Sequence, residues 1–338
     1  MLEKPDIPDQ LIISQVQAEY GLEVTQLTFL PLGYDVNTAV YRVDTTDGTT
    51  YFLKLRKDGF HPITVIVPQF LHRIGIPAII PPLTTQKGEL FGMLEDYTAI
   101  LYPFTPGKDG YQVELSDHHW IELGRTLKMV HTAQIPRLLA KVIPREVYDP
   151  QWRESVKRFQ AQVEREAFTD PIAEKLSNFM KGKEDEISHM VSRATELANS
   201  LQQSPVDFVL CHTDAHPGNY LITDGGELYL VDWDNPTFAP KERDLMCFGS
   251  GMSGFQPGGR EEALFYQGYG PVKVDRKALT YYRYERIIQD IAEFCKQILL
   301  TTTGGEDREL AFKYFVNSFS PNEVVDVAFR TDQLSGGR

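Results

Sequence analysis

The chain reads Cys211-His212-Thr213-Asp214-Ala215-His216-Pro217-Gly218-Asn219 and, after a short predicted hairpin, Val231-Asp232-Trp233-Asp234. An Asp, an Asn five positions on and a second Asp after a hairpin are the residue types that phosphoryl transfer from Mg-ATP requires. The carboxylate of Asp214 can accept a hydroxyl proton, and Asn219 and Asp232 offer the oxygen ligands that magnesium prefers. We therefore predict that Asp214 is a catalytic base and that Asn219 and Asp232 bind a metal ion.

Two histidines flank the predicted base. We expect His212 to brace the loop and His216 to be structural, with a phosphate contact as the alternative for His216. The pattern H-x-D-x-H is also typical of a metal hydrolase, but no further cluster of His and carboxylate residues at metal-ligand spacing precedes it. Phosphoryl transfer is therefore favoured, with hydrolysis as a minor alternative.

Composition limits the class of protein. The chain has 338 residues, 42% of them hydrophobic, which is enough to bury a core. Its three cysteines form no C-x-x-C pair, and the N-terminus lacks a signal-peptide pattern, so we expect a cytoplasmic protein. The longest apolar stretch, residues 63–71, is too short to span a bilayer, so no membrane partner is predicted.

The net charge of −13 bears on partners. An acidic chain is not expected to bind nucleic acid through its phosphates, whereas a negative field attracts a cationic small-molecule substrate. Many cytosolic proteins are acidic for solubility alone, so charge only supports what the motifs indicate. The sequence leaves monomer or homodimer open.

Strand patterns dominate the front of the chain and helical patterns the remainder. This order predicts an α+β fold with a small antiparallel sheet lobe over residues 1–104 and a larger, mostly helical lobe over residues 105–338. Predicted strands cover residues 27–32, 39–43, 51–55, 90–94, 99–104, 208–211, 220–222 and 228–231. Predicted helices cover residues 9–20, 62–74, 120–131, 185–201, 281–299 and 310–319.

Two features of the sheet lobe fit a nucleotide site. Gly33 and Asn37 lie in a loop between two predicted strands, where a glycine lets the backbone approach phosphate closely. Lys54 lies within an apolar strand and would place a positive charge on the phosphates. Each has an ordinary alternative, because the loop also suits a plain hairpin turn and the lysine also suits an outward strand position.

With these residues in place, the chain resembles the aminoglycoside phosphotransferase family of kinase-like enzymes. The family loop reads roughly H-G-D-x-H-x-x-N, followed by I-D-W/F-D/E, and here threonine replaces the usual glycine. Three further stretches carry the resemblance over nearly the whole chain: Tyr148-Asp149-Pro150-Gln151-Trp152-Arg153, Ala239-Pro240-Lys241-Glu242-Arg243-Asp244-Leu245-Met246, and Tyr281-Tyr282-Arg283-Tyr284-Glu285-Arg286-Ile287-Ile288-Gln289-Asp290-Ile291.

The resemblance implies a bilobal protein-kinase-like fold that uses ATP, or GTP in its place, together with Mg²⁺. It implies phosphorylation of a hydroxyl on an aminocyclitol antibiotic such as spectinomycin. The backbone of Leu101, Tyr102 and Phe104 would then contact the adenine, and Lys54 would bind phosphate.

The acceptor is expected to bind in the helical lobe beside Asp214. Asp234, Glu285 and Asp290 are candidates to meet an ammonium group, and Tyr284 is a candidate stacking surface. The ordinary alternative is that the acids of the last helix form i,i+4 pairs on a solvated face. Asp244 is instead expected to brace the catalytic loop.

One departure from the kinase pattern concerns Lys54. Kinases pair the strand lysine with a glutamate on the following helix, yet residues 59–75 contain no Asp or Glu. Asp58 or a more distant acid substitutes, or the nucleotide alone holds the lysine.

Three functions remain open on the sequence. The first is an antibiotic kinase, and the second is a kinase for a metabolite such as choline, an amino alcohol or a sugar. The third is a nucleotide-binding module without catalysis, which the missing helix glutamate would favour and the intact Asp214, Asn219 and Asp232 disfavour.

Overall fold

The structure, a computed structural model, describes residues 4–33, 37–204, 206–248, 259–302 and 304–336. The chain divides into two compact units. The first, the sheet unit, comprises Met1–Ile143 and Pro217–Pro236, and the second, the helical unit, comprises Pro144–His216 and Thr237–Arg338.

The strands are β1 (Val24–Leu30), β2 (Thr38–Thr45), β3 (Thr50–Arg56), β4 (Gly92–Leu94), β5 (Tyr97–Pro103), β6 (Gly107–Asp109), β7 (Val209–Cys211), β8 (Tyr220–Thr223), β9 (Leu228–Leu230) and β10 (Thr237–Ala239). The helices are α1 (Asp9–Tyr20), α2 (Ile63–Arg73), α3 (Asp117–His131), α4 (Arg137–Ala140), α5 (Gln151–Arg165), α6 (Pro171–Gly182), α7 (Glu184–Gln202), α8 (Glu242–Leu245), α9 (Gly259–Tyr269), α10 (Arg276–Leu299), α11 (Gly305–Ser318) and α12 (Val324–Gly336).

The sheet unit is built on an antiparallel sheet in the order β1-β2-β3-β5-β4. Alternate residues of the strands point to one face and bury it, as Tyr41, Leu53 and Leu101 do at 0% exposure. Helix α1 packs on this core through Ile12 and Val16. Strand β3 lies between β2 and β5, so Lys54 is carried by an interior strand.

A second, smaller sheet in the same unit pairs β6, β8 and β9. Two contacts tie this sheet to the rest of the unit, because the Leu230 N–H donates to the Ala78 carbonyl at 2.8 Å and a ring nitrogen of His119 lies 3.0 Å from the Gly226 carbonyl. Helix α3 and the β8–β9 hairpin therefore belong to the same unit as the large sheet. The predicted lobes instead divided the chain once, after residue 104.

The helical unit is organised around α10, which contacts α5, α7, α11 and α12. Its buried stripe repeats with helical spacing through Ile287, Ile291 and Ile298, and this pattern is what a helix inside a bundle requires. The N-cap is Asp275, whose carboxylate accepts from the Lys277 and Ala278 N–H groups at 2.8 and 3.2 Å.

The α+β class and most element positions predicted from the pattern are confirmed. Helix α1 ends at Gly21, whose φ of 70° is the left-handed conformation of a helix stop. Asp47-Gly48 lies in the β2–β3 turn with Gly48 at φ 81°. Within the described ranges no helix is both long and apolar enough to cross a bilayer.

Candidate active site

The predicted catalytic loop, residues 212–219, begins where β7 ends, inside the helical unit. Strand β7 pairs with β10, and the chain after Cys211 leaves the sheet with two consecutive backbone N–H groups that need acceptors. The carboxylate of Asp244, which is fully buried on α8, accepts both of them: from His212 N–H at 2.8 Å and from Thr213 N–H at 2.7 Å. Asp244 therefore braces this loop, as the sequence predicted.

Thr213 has a φ of 76°, in the left-handed region where a β-branched side chain is disfavoured. This conformation gives a physical reason for a glycine at this position of the motif, because glycine adopts positive φ without steric cost. The two hydrogen bonds to Asp244 hold the turn in this chain. The ring of His212, also buried, accepts the Asp214 N–H at 3.3 Å and completes the brace.

The carboxylate of Asp214 has an arginine and a histidine as neighbours in the same unit. Arg286 on α10 places Nη1 2.5 Å from one oxygen, and His216 places Nε2 3.5 Å from the other. Burial alone would raise the pKa of Asp214, but Arg286 and His216 outweigh it and hold the pKa well below its usual range. Asp214 is therefore ionised at neutral pH, as a hydroxyl-orienting base must be.

Arg286 also contacts Asp290, with Nε 3.0 Å from Oδ1, which is the i,i+4 pair expected as the ordinary alternative. Burial raises the pKa of Asp290, and Arg286 opposes this. Asp290, one of the substrate residues predicted on α10, is thus linked to Asp214 through the side chain of Arg286.

The two other substrate residues predicted on α10 require correction. The ring of Tyr284 is completely buried and its hydroxyl lies 3.3 Å from the Asp332 carboxylate, so it offers no stacking face. Glu285 is buried against Arg153, whose Nη1 is 3.2 Å away. Burial raises the pKa of its carboxyl to about 7, and Arg153 opposes this rise. Both side chains point into the helix bundle, because α10 is surrounded by other helices on those faces.

The predicted metal ligands lie in the sheet unit and flank the β8–β9 hairpin, with Asn219 directly before β8 and Asp232 two residues after β9. The Val231 N–H donates to the Asn219 carbonyl at 3.0 Å, which brings Asp232 back beside Asn219. Asp232 has a φ of 66°, a left-handed conformation that Asp tolerates better than most residues. An amide oxygen and a carboxylate at neighbouring positions of the backbone are a donor set that fits magnesium.

Lys54 reaches the same hairpin. Its Nζ lies 2.7 Å from Asp232 Oδ1 and 2.8 Å from Asp234 Oδ1. Burial favours the neutral amine, but the two carboxylates outweigh it and raise the pKa of Lys54. The lysine thus points inward as a fixed positive charge, and not outward as the ordinary alternative held.

Asp234, predicted to meet an ammonium group of the acceptor, is already engaged by cations of its own unit. Besides Lys54, Arg56 places Nη1 2.5 Å from its second oxygen. The sequence did contain a signal for this arrangement, namely the absence of acids on α2, which required another partner for Lys54.

The remaining nucleotide residues are placed as follows. Gly33 has a φ of 85°. The backbone carbonyl of Asn37 accepts the Lys57 N–H at 2.9 Å. Residues 34–36 of the predicted loop lie outside the described residues.

At the predicted hinge, the Leu101 carbonyl accepts the Leu83 N–H at 2.7 Å. The Phe104 N–H donates to Thr50 at 3.3 Å, and Tyr102 lies opposite Phe52. An adenine contact at these residues stays a prediction.

The model of the phosphotransferase enzyme family matches residues 28–279. This chain belongs to the phosphotransferase enzyme family. A comparison with curated proteins gave no match. Family membership confirms that the chain is a phosphotransferase and decides against the hydrolase alternative.

Solved structures place the chain among kinase-like members of the family. It is 34% identical to a spectinomycin phosphotransferase in complex with ADP and spectinomycin, over 97% of this chain and 100% of that one, with a TM-score of 0.90. An amicoumacin kinase in complex with AMP-PNP and Ca²⁺ is 16% identical over 97% of each chain, with a TM-score of 0.60. An ethanolamine kinase from Plasmodium vivax is 12% identical, over 98% of this chain and 92% of that one, with a TM-score of 0.60. The last two show the shared fold alone, and together the comparisons confirm the predicted kinase-like fold.

The family-like stretches of the sequence meet in a buried polar network of the helical unit. Arg243 Nη1 lies 2.8 Å from Glu146, and Glu242 accepts the Asp275 N–H at 2.8 Å, so α8 is fixed to the start of α10. Arg153 donates to the Tyr148 carbonyl at 2.8 Å, in addition to its contact with α10. In this family member these stretches therefore build the frame behind the catalytic loop.

Proposed function

We propose that this chain is an ATP- and Mg²⁺-dependent kinase that phosphorylates a hydroxyl group of an aminocyclitol antibiotic of the spectinomycin class. The observation that carries the proposal is the 34% identity over essentially the full length of a spectinomycin phosphotransferase, with a TM-score of 0.90. The similarity to kinases of other acceptors is at the level of the fold.

The roles of the residues follow from their surroundings. Asp214, ionised between Arg286 and His216, accepts a hydrogen bond from the acceptor hydroxyl and orients it. Lys54 supplies a fixed positive charge for the nucleotide phosphates. Asn219 and Asp232 hold Mg²⁺, which when bound offsets the negative charge of the triphosphate.

The reaction is an in-line displacement. The acceptor oxygen forms a bond to the γ-phosphorus, the bond from that phosphorus to the β,γ-bridging oxygen breaks, and ADP leaves. The hydroxyl proton passes to Asp214. Because the transition state is loose, positioning and electrostatics supply most of the rate enhancement.

Net negative charge favours a cationic acceptor, and Asp290 beside Arg286 is the predicted substrate residue of α10 that keeps a partly exposed carboxylate. We assign it to the acceptor side of the site. Charge does not distinguish an aminocyclitol from choline or an amino alcohol, since all are cations. The acceptor must therefore be identified by experiment.

The test is ADP release measured with Mg-ATP and a panel of spectinomycin, other aminoglycosides, choline and ethanolamine, with the phosphorylated product identified by mass spectrometry. Spectinomycin-dependent ADP release supports the proposal. Release with choline or ethanolamine instead replaces it with the metabolite kinase, and nucleotide binding without release for any acceptor replaces it with a non-catalytic module.

Asp214→Asn should lower kcat by at least ~10², the usual contribution of a positioned general base. The matched control is Asp326→Asn, which removes an exposed carboxylate of the same unit, 3.8 Å from Arg330, and should leave kcat unchanged. Wild-type turnover by Asp214→Asn would rule out the role of that residue as base.

A further inference from the structure

Lys54 needs a fixed acidic partner that its neighbouring helix does not supply. Its strand, β3, is interior, and the ammonium is largely buried, with 12% of the side chain exposed. A buried ammonium is costly without a carboxylate partner. Helix α2, which follows β3, has the sequence Ile-Thr-Val-Ile-Val-Pro-Gln-Phe-Leu-His-Arg and offers no carboxylate.

Two carboxylates from the β8–β9 hairpin meet Lys54 instead, at 2.7 Å from Asp232 and 2.8 Å from Asp234. They are not equivalent. Asp232 is the more exposed, at 44% of its side chain, and its other assigned task is metal binding. Asp234 is 24% exposed, and its second oxygen is fixed by Arg56 at 2.5 Å.

Arg56 and Lys54 are two residues apart on β3, so their side chains leave the same face of the sheet. One carboxylate, that of Asp234, therefore bridges both cations, using one oxygen for each. A carboxylate held at both oxygens by charged donors is restrained in position as well as in charge.

We propose that Asp234 is the positioning residue for Lys54 and takes the place of the helix glutamate of other kinases. The inference rests on the proposed nucleotide site. It reassigns Asp234 from the acceptor to the nucleotide.

This arrangement gives the two carboxylates different roles, with Asp232 assigned to the metal and Asp234 to Lys54. Two cations face two carboxylates, so the cluster of Lys54, Arg56, Asp232 and Asp234 is neutral. If Asp232 turns its oxygens to a divalent cation, Lys54 keeps Asp234 as a partner and stays in place for phosphate. Without Asp234, Lys54 would depend on the carboxylate that the metal also requires.

The experiment measures ADP affinity by calorimetry in EDTA and again in Mg²⁺, and the KM of the acceptor by ADP release. In Asp234→Asn, ADP binding should weaken about tenfold or more, equivalent to about 1.4 kcal/mol, because one charge-assisted contact of Lys54 is lost. The acceptor KM should stay within about twofold. The Mg²⁺ concentration that gives half-maximal activity should also rise, because Lys54 then competes with Mg²⁺ for Asp232.

Three further variants make the result specific. Asp234→Glu keeps the charge and should recover part of the ADP affinity. The double variant Lys54→Met/Asp234→Asn should bind ADP as weakly as Lys54→Met alone, because the contact between Lys54 and Asp234 is already lost in Lys54→Met. Asp44→Asn removes a carboxylate of the same sheet that is about as exposed as Asp234 and is paired with Arg42 at 2.9 Å, and it should leave ADP affinity unchanged.

A folded Asp234→Asn protein with wild-type ADP affinity would overturn the positioning role while leaving the proposed function intact. A raised acceptor KM with unchanged ADP affinity would overturn it in favour of acceptor binding. If the wild-type chain bound no nucleotide at all, the proposed function itself would fail, and this inference with it. ADP binding that depends on Asp234, in a chain that phosphorylates no acceptor, would support the positioning role alone.

Discussion

Substituting Asp244→Asn tests whether the brace behind the catalytic loop sets both stability and turnover. The carboxylate accepts two backbone N–H groups, from His212 and Thr213, in a fully buried position. Asparagine has one acceptor oxygen, so one N–H loses its partner. A hydrogen bond to a charged group contributes about 1.5–3 kcal/mol, and a buried N–H without a partner costs about 1–3 kcal/mol. We expect the free energy of unfolding of the helical unit to fall by about 3 kcal/mol.

Turnover should fall with stability, because these hydrogen bonds hold Thr213 at its positive φ and so set the direction of Asp214. A displacement of about 1 Å at such a position can cost about 10² in rate, so kcat should drop by at least tenfold with little change in the acceptor KM. Urea unfolding followed by fluorescence, together with ADP release, measures both quantities on one sample.

The control for this substitution is Asp275→Asn. Its carboxylate also accepts two backbone N–H groups, but as a helix N-cap, where asparagine serves as well as aspartate. It should change the free energy of unfolding by less than about 0.5 kcal/mol. If Asp244→Asn matched this control in stability and kcat, the bracing role of Asp244 would be refuted.

Two further predictions concern charge. Arg286→Gln removes the guanidinium that lowers the pKa of Asp214, so the acid limb of the kcat profile should move to higher pH; a profile that coincides with that of the wild type would contradict the pairing. Burial raises the pKa of Tyr148 and Tyr266 to about 12. In the unfolded chain these hydroxyls lose their protons near pH 10, so the contribution of the two tyrosines to the free energy of unfolding is fully present below that pH. It is lost between about pH 10 and 12, by about 1.4 kcal/mol per pH unit for each tyrosine. The measurement is the free energy of unfolding from about pH 8 to 12, and a value that does not change with pH would contradict this prediction.

The distinctive stretches of the helical unit show that a family can be recognised from residues of its buried frame. The sequence linked Glu285 and Tyr284 to the acceptor because they sit in a family-like segment. The structure buries them beside Arg153 and Asp332. Their use in recognising the family was sound, because a fixed frame behind the loop also constrains sequence.

Local physics explains what could be predicted. Alternation predicted the longer strands and helical periodicity predicted six of the twelve helices named above, since these patterns depend on residues a few positions apart. Short strands such as β6 and β10 were missed, because three residues carry too little pattern and their pairing is set by distant partners. The acidic residues of the loop and hairpin could be predicted because their spacing along the chain is itself the chemical requirement, and their catalytic roles stay predictions.

The sequence by itself determined the reaction class: Asp214, Asn219 and Asp232 follow each other within 19 residues, and their oxygens are those that phosphoryl transfer needs. Only the tertiary structure decided which charges meet. Lys54 pairs with Asp234 across 180 positions of the chain, and Arg286 pairs with Asp214 across 72. Ion pairs at such separations leave no periodic trace in a single sequence, because they form only after the sheet and the helix bundle have brought their strands and helices together.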